Sequence, residues 1–414
     1  MNLPSYFNSQ LFILAVALIC SACGHKPFDK AVREFSDPRI LALEKTAPPS
    51  PEDFADDLNY KSLPRALESS IQVLKSRPDA TLMFGDREIS AQHYAEALNN
   101  FSTFLQNAAD ANLSEQTVYK YVIENFDFYQ VYGDRAPSQI FMTSYFEPVI
   151  EGSLRRTKRF SQPIYSRPAD LLELDVAAFD EGLAPPRKYR ARVENGKVVP
   201  YYSRREIDID MALAKKKLEL LWVDPIDSFI AQIQGSATVV LPSGKQVRIN
   251  YAERNGHKYE ALGKFLKAHI PPEKMSIQAI EAHLRSLPEK ELHETLALNP
   301  SYIFFVISDK PALTTIGVPA VAGRSVAVDA KLFPKGALAF LRGQKPIFQD
   351  DQAVFPERFE AFSRLVVDHD TGGAITGPAR LDLFWGSGKD AARHAGVIRH
   401  EGNLFYLAPK VAKP

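Results

Sequence analysis

Apolar and aromatic side chains recur at helical spacing between residues 51 and 130. The three sets that keep this spacing are Leu67, Ile71 and Leu74; Tyr94, Leu98, Phe101 and Leu105; and Tyr119, Ile123 and Phe126. A repeat at every third or fourth position predicts amphipathic helices that pack one side against a core. The segment Ser50-Pro51-Glu52-Asp53 predicts a helix start, because a capping side chain and a proline precede acids that suit the helix dipole. We therefore expect residues 51–130 to form mostly short helices.

Strand patterns begin near residue 139. Residues 139–150 predict a strand that Pro148 ends or kinks, since proline cannot donate a hydrogen bond to a sheet. Strands and helices then mix as far as about residue 300. The predicted strands are residues 189–193, 197–201, 229–234, 237–241 and 247–251, and the predicted helices are residues 204–221 and 276–287. Asn195-Gly196 indicates a tight hairpin turn between the first two of these strands.

After residue 300 short strands dominate the pattern. The predicted strands are residues 302–307, 325–328, 337–341, 362–368, 379–384 and 404–407. Several short strands separated by proline and glycine favour a closed barrel. The chain also contains 29 prolines, 16 tyrosines and 26 phenylalanines, which favours a loop-rich fold with much β-structure.

The composition is typical of a globular protein. With 414 residues the chain is long enough for two domains, and it is 45% hydrophobic and 24% charged. Lys and Arg together number 50, as do Asp and Glu, so the formal net charge is zero. This balance argues against nucleic acid as the main partner, because binding to nucleic acid usually requires a basic surplus.

The amino terminus predicts an export signal. Residues 11–20 form an unbroken apolar run, preceded by no charged side chain, that is too short to span a bilayer as a helix. Ser21-Ala22 followed by Cys23 indicates a bacterial lipobox in which Cys23 is acylated, although Cys20 stands in place of the usual leucine. A plain secretory signal and a short buried hydrophobic segment are the alternatives. Both cysteines lie here, so no disulfide is expected in the mature chain.

Three aspartates in the C-terminal region are the strongest candidates for chemistry. Asp370 and Asp382 lie about a dozen positions apart and flank a stretch with three glycines and a proline, which lets two strands bring both carboxyl groups together. Asp329 follows a third apolar strand. Convergence of the three would perturb the pKa of one of them, as a proton donor near neutral pH requires. The alternative is that each aspartate only serves a turn.

Several ordered segments carry a family resemblance. Three of them are Arg324-Ser325-Val326-Ala327-Val328-Asp329, Asp370-Thr371-Gly372-Gly373-Ala374-Ile375-Thr376-Gly377 and Arg380-Leu381-Asp382-Leu383-Phe384-Trp385-Gly386-Ser387-Gly388. The earlier ones are Thr143-Ser144-Tyr145-Phe146-Glu147-Pro148-Val149, Gln234-Gly235-Ser236, Asn255-Gly256-His257-Lys258-Tyr259 and Leu262-Gly263. Together they resemble the MltA-type membrane-bound lytic murein transglycosylases, which end in a three-Asp (3D) domain. Ser144 and Phe146 replace a glycine and a tyrosine of the family pattern.

The resemblance implies a mainly β fold with N-terminal helices. A double-psi β-barrel catalytic domain would comprise residues 51–147 and 309–414, with the 3D motif at about residues 320–390. A second, β-rich substrate-binding domain, residues 148–308, would be inserted into it, with a substrate groove between the two. Residues 1–22 would be a lipoprotein signal peptide and residues 23–50 a tether, whose prolines make it stiff.

The resemblance also implies the reaction. Members of this family are carbon–oxygen lyases that cleave the β-1,4 bond between N-acetylmuramic acid and N-acetylglucosamine without water, leaving a 1,6-anhydro sugar. By motif position the catalytic acid, which then acts as base, falls on Asp382. Asp370 is expected to support it, because a nearby like charge raises the pKa of its partner. Asp329 is expected to hold barrel loops through backbone N–H groups.

Other positions are expected to contact the glycan or to assist. Thr143 and Tyr145 match family positions near the scissile bond, and the further substrate-binding candidates are Gln234, Gly235, Ser236, Asn255, Gly373 and Arg380. We expect Arg380 to pair with Asp370 or to contact substrate, since an ion pair with Asp382 would lower the pKa of the acid. Asp368 is expected to be solvated, and His369 to be a surface residue or a helper of Asp370.

No cofactor or metal is expected, because the histidines lack metal-ligand spacing. The implied partners are peptidoglycan glycan strands, the membrane through a lipid on Cys23, and a complex of cell-wall enzymes. Gly24 in place of an aspartate after Cys23 implies the periplasmic face of the outer membrane.

Two other functions stay open from the sequence. One is a non-catalytic outer-membrane lipoprotein that binds peptidoglycan, in which Asp382 does no chemistry. The other is an ordinary hydrolase that uses Asp370 and Asp382 with water.

Overall fold

The computed structural model describes residues 37–109, 114–132, 135–179, 188–351 and 353–411. The expected signal peptide and Cys23 lie outside the described residues, as does the first part of the expected tether. Its last part, residues 37–50, contains a short helix and a strand that pairs with residues 128–131. Within the described ranges, no helix has the length and apolar character needed to cross a membrane.

The helices and strands of the described residues are as follows. The α-helices are α1 (Pro38–Ala42), α2 (Leu63–Lys75), α3 (Ala91–Ala109), α4 (Glu115–Asn125), α5 (Arg204–Asp208), α6 (Pro225–Gln234), α7 (Ile277–Ser286), α8 (Glu289–Leu296) and α9 (Gly388–Ala395). The first strands are β1 (Leu43–Thr46), β2 (Thr81–Phe84), β3 (Arg87–Ser90), β4 (Phe126–Val131), β5 (Gln139–Glu147), β6 (Val149–Ser153), β7 (Gln162–Tyr165), β8 (Leu172–Asp175), β9 (Lys188–Glu194) and β10 (Lys197–Pro200). The others are β11 (Glu219–Val223), β12 (Ser236–Val240), β13 (Gln246–Arg254), β14 (Ile303–Ser308), β15 (Ser325–Ala327), β16 (Leu338–Ile347), β17 (Arg358–Asp370), β18 (Arg380–Ser387) and β19 (Arg399–Pro409).

Six strands close into a barrel. Their order is β19-β16-β17-β15-β18-β5, and β5 pairs back onto β19. The pairs β15–β17 and β18–β5 are parallel, and the other four are antiparallel. Parallel neighbours need long connections, and the chain between β5 and β15 contains the whole second sheet. The expected mainly β fold, with a double-psi barrel and a second β-rich part, is confirmed.

Helices α2 and α3 pack on the barrel, as their apolar spacing predicts. The hydroxyl of the fully buried Tyr94 donates to the Leu407 carbonyl (2.7 Å) and accepts from the Leu338 N–H (3.0 Å). The helices expected from the apolar spacing are therefore confirmed, but this region also contains the β2–β3 hairpin and strand β4. These strands have four to six residues, and the alternation in so short a segment does not distinguish a strand from the neighbouring helices. The helix start expected at Ser50 gives only a three-residue 3-10 helix, Pro51–Asp53, without a side-chain cap.

A buried ion pair ties the N-terminal segment to the barrel. Arg324, the first residue of the 3D motif, is fully buried, and its Nη1 and Nη2 lie 2.5 and 2.8 Å from the two carboxyl oxygens of Asp56. The same guanidinium donates to the Leu365 carbonyl and to the Ser62 hydroxyl. A charge buried this completely requires such saturation of its donors, so Arg324 has a structural role.

The segment between β5 and β15 forms a second, six-stranded sheet of order β14-β13-β12-β6-β11-β7 and a small sheet β10-β9-β8. The core of the larger sheet is apolar and includes Leu221, Val239 and Phe305. The predicted hairpin is confirmed: Asn195 and Gly196 both have positive φ, 48° and 74°, as a two-residue turn of matching twist requires.

Two sequence predictions in this segment are wrong. A helix over residues 204–221 was expected, but α5 ends at Asp208 and strand β11 begins at Glu219. Met211 and Lys217 between them adopt positive φ, 57° and 55°, which a helix cannot accommodate.

A strand was expected over residues 229–234, but helix α6 occupies this position. Its start signals lie just upstream, where Asp224 accepts the N–H groups of Ile226 and Asp227 and is followed by a proline. Gly235, at φ 81°, ends the helix. A short apolar run had been read as a strand, whereas the caps on both sides specify a helix.

Candidate active site

The pairing of β5, β18 and β15 places Asp382. In this part of the barrel Asp382 is opposite Thr143 of β5 and Ala327 of β15. Its neighbours Leu381 and Leu383 are fully buried, so strand alternation directs the Asp382 side chain to the other face. We call the surface formed by Thr143, Tyr145, Asp370, Arg380 and Asp382 the candidate cleft.

The Asp382 carboxyl group has one hydrogen-bond donor among the described side chains. Thr143 Oγ1 donates to Asp382 Oδ1 at 2.8 Å, and no Lys, Arg or His of the described chain forms an ion pair with it. The residue is half-buried, while protein atoms surround the carboxyl group itself. Burial raises the pKa of Asp382 to about 6; the Thr143 hydrogen bond and the Arg380 charge act to lower it, and the Asp370 charge adds to the increase. Asp382 can therefore hold a proton close to neutral pH.

The Asp370 carboxyl group is held by four donors. Tyr145 donates its hydroxyl to Oδ2 at 3.0 Å, and Oδ1 accepts the Thr315 N–H (3.0 Å), the Thr315 hydroxyl (2.8 Å) and the Thr371 N–H (2.9 Å). Its position is thus fixed, whereas Asp382 has one contact. Thr315 was not singled out from the sequence, because nothing in its local pattern distinguishes it from other loop threonines.

Tyr145 holds the Asp370 carboxylate from the strand that also carries Thr143, the donor to Asp382. It follows Thr143 by two positions on β5, and so shares its face. Its ring lies 5.1 Å from that of Phe384 on β18. Burial raises the pKa of Tyr145 well above its usual value, and the Asp370 charge adds to this, so its hydroxyl stays a donor.

Arg380 lies beside the acid but forms no ion pair with Asp382 or with Asp370 among the described residues. Its Nη2 is 3.4 Å from Thr143 Oγ1, and its guanidinium lies 5.0 Å from the centre of the Phe141 ring. The expected pairing with Asp370 is not seen. The guanidinium remains open to a group in the candidate cleft.

Asp329 and Gly373 belong to the loops around this cleft. Asp329 accepts the N–H groups of Lys331 (3.0 Å) and Gly377 (2.9 Å), and so joins the loop after β15 to the glycine-rich turn before β18. Gly373 is exposed, and a Cβ added to it would lie 3.8 Å from Arg254 Nη1.

Gln234, Gly235 and Ser236 lie where the second sheet meets the barrel. Gln234 Oε1 accepts the Phe146 N–H at the end of β5 (3.1 Å), and Ser236 begins β12. These three residues are therefore adjacent in space to the strand that carries Thr143.

Asn255 is not brought to the candidate cleft. It is 1% exposed, its amide donates to the Tyr202 and Pro300 carbonyls (2.9 Å each), and its Oδ1 accepts the Tyr302 N–H (2.9 Å). The expectation that Asn255 contacts substrate is not met in this structure, because its side chain is occupied by the protein backbone.

Two neighbours of Asp370 were misjudged. Asp368 was expected to be solvated but is fully buried, with Lys335 Nζ 2.6 Å from Oδ1 and the Tyr406 hydroxyl 3.0 Å from Oδ2. His369 was expected at the surface or as a helper, but it is fully buried away from water. The apolar run before Asp368 was the available signal, since a barrel strand that is covered on its outer face by helices buries both sides.

The histidine lies between two hydroxyl groups, Ser70 Oγ at 3.1 Å from Nε2 and Ser325 Oγ at 2.8 Å from Nδ1. Burial lowers the pKa of His369 to about 4, so it is neutral and structural. Among the described residues, no cluster of His, Cys, Asp and Glu could hold a metal ion.

A cavity of about 380 Å³ adjoins Thr143. Its walls are largely apolar and include Phe229 of α6, Ile280 of α7, Met275 just before α7, and Ile398 in the turn before β19. Thr143, which donates to the candidate acid, thus lies where the barrel and the second part of the chain face each other.

The chain is similar in sequence to known proteins. Residues 141–306 match the MltA specific insert domain, and residues 324–408 match the 3D domain. The chain is 28% identical over 408 residues to the membrane-bound lytic murein transglycosylase A of Escherichia coli (strain K12), a match that covers 96% of this chain and 94% of that protein.

Solved structures show the same similarity. A membrane-bound lytic murein transglycosylase from Agrobacterium tumefaciens is 28% identical with a TM-score of 0.69, over 89% of this chain and 98% of that one. E. coli MltA with bound chitohexaose is 24% identical with a TM-score of 0.65, over 89% of this chain and 95% of that one.

Proposed function

This chain belongs to the MltA-type lytic murein transglycosylases, and from that premise we propose that Asp382 alone is its acid and base. The substrate is the β-1,4 bond between N-acetylmuramic acid and N-acetylglucosamine in peptidoglycan. The observation that carries this proposal is the environment of Asp382: a buried carboxyl group with no cationic partner among the described residues and a pKa raised to about 6.

In the first step the protonated Asp382 donates to the glycosidic oxygen as the bond from that oxygen to C1 of N-acetylmuramic acid breaks. The raised pKa keeps a useful fraction of the acid protonated near neutral pH. Positive charge develops at C1, and the Asp370 carboxylate, fixed by four donors, is placed to stabilise it.

In the second step the Asp382 carboxylate takes the proton from the C6 hydroxyl of the same sugar. The C6 oxygen bonds to C1, which closes the 1,6-anhydro ring without consuming water and returns Asp382 to its protonated form. One titrating group suffices because the substrate supplies the nucleophile. The Thr143 hydroxyl, 2.8 Å from Oδ1, orients the carboxyl group for both transfers.

We assign substrate contacts to the residues that the candidate cleft leaves accessible. Thr143, Tyr145 and Arg380 lie nearest the acid, and Gly373 lets the glycan approach the backbone of the loop after Asp370. Gln234, Gly235 and Ser236 border the strand of Thr143 from the second sheet. The bound chitohexaose of the E. coli relative supports glycan strands as the ligand. Asn255 is then a positioning residue for the loop that it pins.

The division of the chain is part of the same proposal. We place the inserted domain at residues 148–308 and the barrel domain at residues 51–147 and 309–414, which the matches at 141–306 and 324–408 support. Relatives named as membrane-bound support membrane association. We further propose that a lipid on Cys23 anchors the chain to the periplasmic face of the outer membrane.

Product analysis tests the function. Purified peptidoglycan is digested with the wild type, with Asp382→Asn and with Asp79→Asn, an exposed aspartate that serves as control for the same chemical change. Mass spectrometry should find anhydro ends with the wild type and the control, and none with Asp382→Asn, which should still bind glycan. Reducing ends would establish hydrolysis instead, and binding without release would establish a pure binding protein.

A further inference from the structure

Arg254 extends from the second sheet towards the loop that follows Asp370 in the barrel. It is the last residue of β13, where it pairs with Ile303 of β14. Its Nη1 lies 3.8 Å from the position that a Cβ on Gly373 would occupy. Gly373 follows Asp370 by three residues, so the guanidinium reaches the loop that carries the supporting carboxylate.

The Arg254 guanidinium has no hydrogen bond or ion pair among the described residues, and the residue is exposed. Neighbouring arginines differ. Arg190 pairs with Glu253 (3.1 Å) and Glu173 (2.8 Å), and Arg248, on the same strand, donates to the Asp309 carbonyl (3.3 Å). Five donors in a planar fork are thus left free for a ligand.

Hydrogen bonds fix the backbone that carries the Arg254 side chain. The Arg254 N–H donates to Glu253 Oε1 (3.0 Å), and the next residue, Asn255, is buried and bonded to the backbone at both ends of its amide. A free guanidinium on a fixed backbone can bind a carboxylate through two parallel hydrogen bonds, and only the side chain itself has to be ordered on binding.

The candidate cleft contains another guanidinium, that of Arg380, which contacts Thr143 beside the acid and forms no ion pair among the described residues. The N-acetylated sugar rings of peptidoglycan offer only neutral acceptors to these guanidinium groups, so an ion pair requires a carboxylate elsewhere on the strand. Carboxylates occur at two places on a strand: on the lactyl group of N-acetylmuramic acid when no peptide is attached, and along the peptide stem when one is.

We propose that Arg254 is a specificity-determining residue that binds a carboxylate of the strand cut at Asp382. This proposal rests on the proposed function, because it takes peptidoglycan as the bound polymer. Arg254 thereby distinguishes anionic murein from neutral polymers with the same sugar linkage. A charge-assisted pair of this kind corresponds to about a 10- to 100-fold change in affinity.

Three ligands test it with the full mature chain: stem-bearing glycan strands, strands stripped of their stems so that lactyl carboxylates are free, and neutral chitohexaose. Arg254→Gln is compared with wild type, with Arg254→Lys, and with Arg248→Gln, which makes the same change on the same strand about 20 Å away. KM and kcat are measured on the two murein substrates, and Kd on chitohexaose.

Arg254→Gln should raise KM about 10- to 100-fold on a carboxylate-bearing substrate and leave kcat and the chitohexaose Kd unchanged. Arg254→Lys should retain part of the affinity, and Arg248→Gln should match the wild type. A KM effect confined to stem-bearing strands assigns the stem carboxylate, and one confined to stripped strands assigns the lactyl carboxylate.

If Arg254→Gln reduced the affinity for all three ligands equally, the proposal would be overturned, since Arg254 would then only shape the cleft. An unchanged KM on both murein substrates, or an equal effect of Arg248→Gln, would overturn it as well. If the wild type released no anhydro products, the proposed function would fail, while the ratio of murein to chitohexaose affinity in the Asp382→Asn background would still decide the role of Arg254.

Discussion

Asp382 in the candidate cleft and Asp368 in the barrel interior are two acids of one barrel, and burial raises the pKa of both to about 6. Asp368 is fully buried and held by Lys335 at 2.6 Å and Tyr406 at 3.0 Å. Asp382 is half-buried and accepts a hydrogen bond from the Thr143 hydroxyl. A perturbed pKa is thus no sufficient mark of a catalytic group. Access and the absence of a fixed cation separate the proposed acid from the structural one.

The largest expected effect is on turnover. Asp382→Asn should lower kcat by about 10²–10⁴-fold, the usual contribution of a positioned proton donor. Asp368→Asn makes the same change in the interior and should lower kcat of the folded enzyme by less than about tenfold, because no substrate reaches it. Release of anhydro products measures both. Comparable losses in the two variants would remove the distinction between the acids.

The next effect is on stability. Lys335→Met leaves the buried Asp368 carboxylate without its cation and should reduce the free energy of unfolding by about 3–5 kcal/mol at pH 8. The double change Lys335→Met/Asp368→Leu should restore most of it. Arg380→Met, the matched change beside Asp382, should cost less than about 1 kcal/mol, since only a long hydrogen bond to Thr143 and a contact with the Phe141 ring are lost. Urea denaturation measures all three, and a large cost for Arg380→Met would show a hidden partner.

Removing the Asp382 carboxyl group should increase the free energy of unfolding by an amount that depends on pH. The pKa of Asp382 is 3.8 in an unpaired reference state and about 6 in the fold, so between these values the native state binds more protons than the unfolded state. Native stability therefore falls as the pH rises from about 4 to 6, and this loss persists above 6. Asp382→Asn should be more stable than the wild type by about 1–3 kcal/mol at pH 8 and equally stable at pH 4. The same difference at both pH values would contradict the raised pKa.

The smallest effect concerns Thr143. Its hydrogen bond lowers the pKa of Asp382, so Thr143→Val should raise that pKa and move the alkaline limb of the kcat–pH profile upward by about one pH unit. Ser144→Ala is the control, because the Ser144 hydroxyl donates to the Ala395 carbonyl instead (3.1 Å). A limb that stays in place, or moves downward, would show that another group governs the profile.

Local signals predicted much of the fold. The apolar spacing in α2 and α3, the Asn195-Gly196 turn and the short strands after residue 300 all correspond to observed elements. The failures occurred where a local pattern was ambiguous. An apolar run was read as a strand although caps on both sides made it helix α6, and α5 stops before two residues with positive φ.

In the candidate site, too, some residues selected from motifs come together and one does not. Asp382, Asp370, Thr143 and Tyr145 were selected from motifs, and the structure brings these four side chains together. Asn255 also lies in a motif, but its side chain serves the backbone.

The sequence by itself determined most of the elements on either side of the inserted segment and the choice of aspartates, because periodicity, caps and motif spacing are properties of neighbouring residues. Only the tertiary structure decided which aspartate is accessible and which is sealed, and that Arg254 meets the loop at Gly373. These properties depend on contacts between distant parts of the chain, such as the bond between Thr143 and Asp382, which are separated by 239 positions. The electrostatic environment of a carboxyl group is the sum of such contacts, so no local pattern contains it.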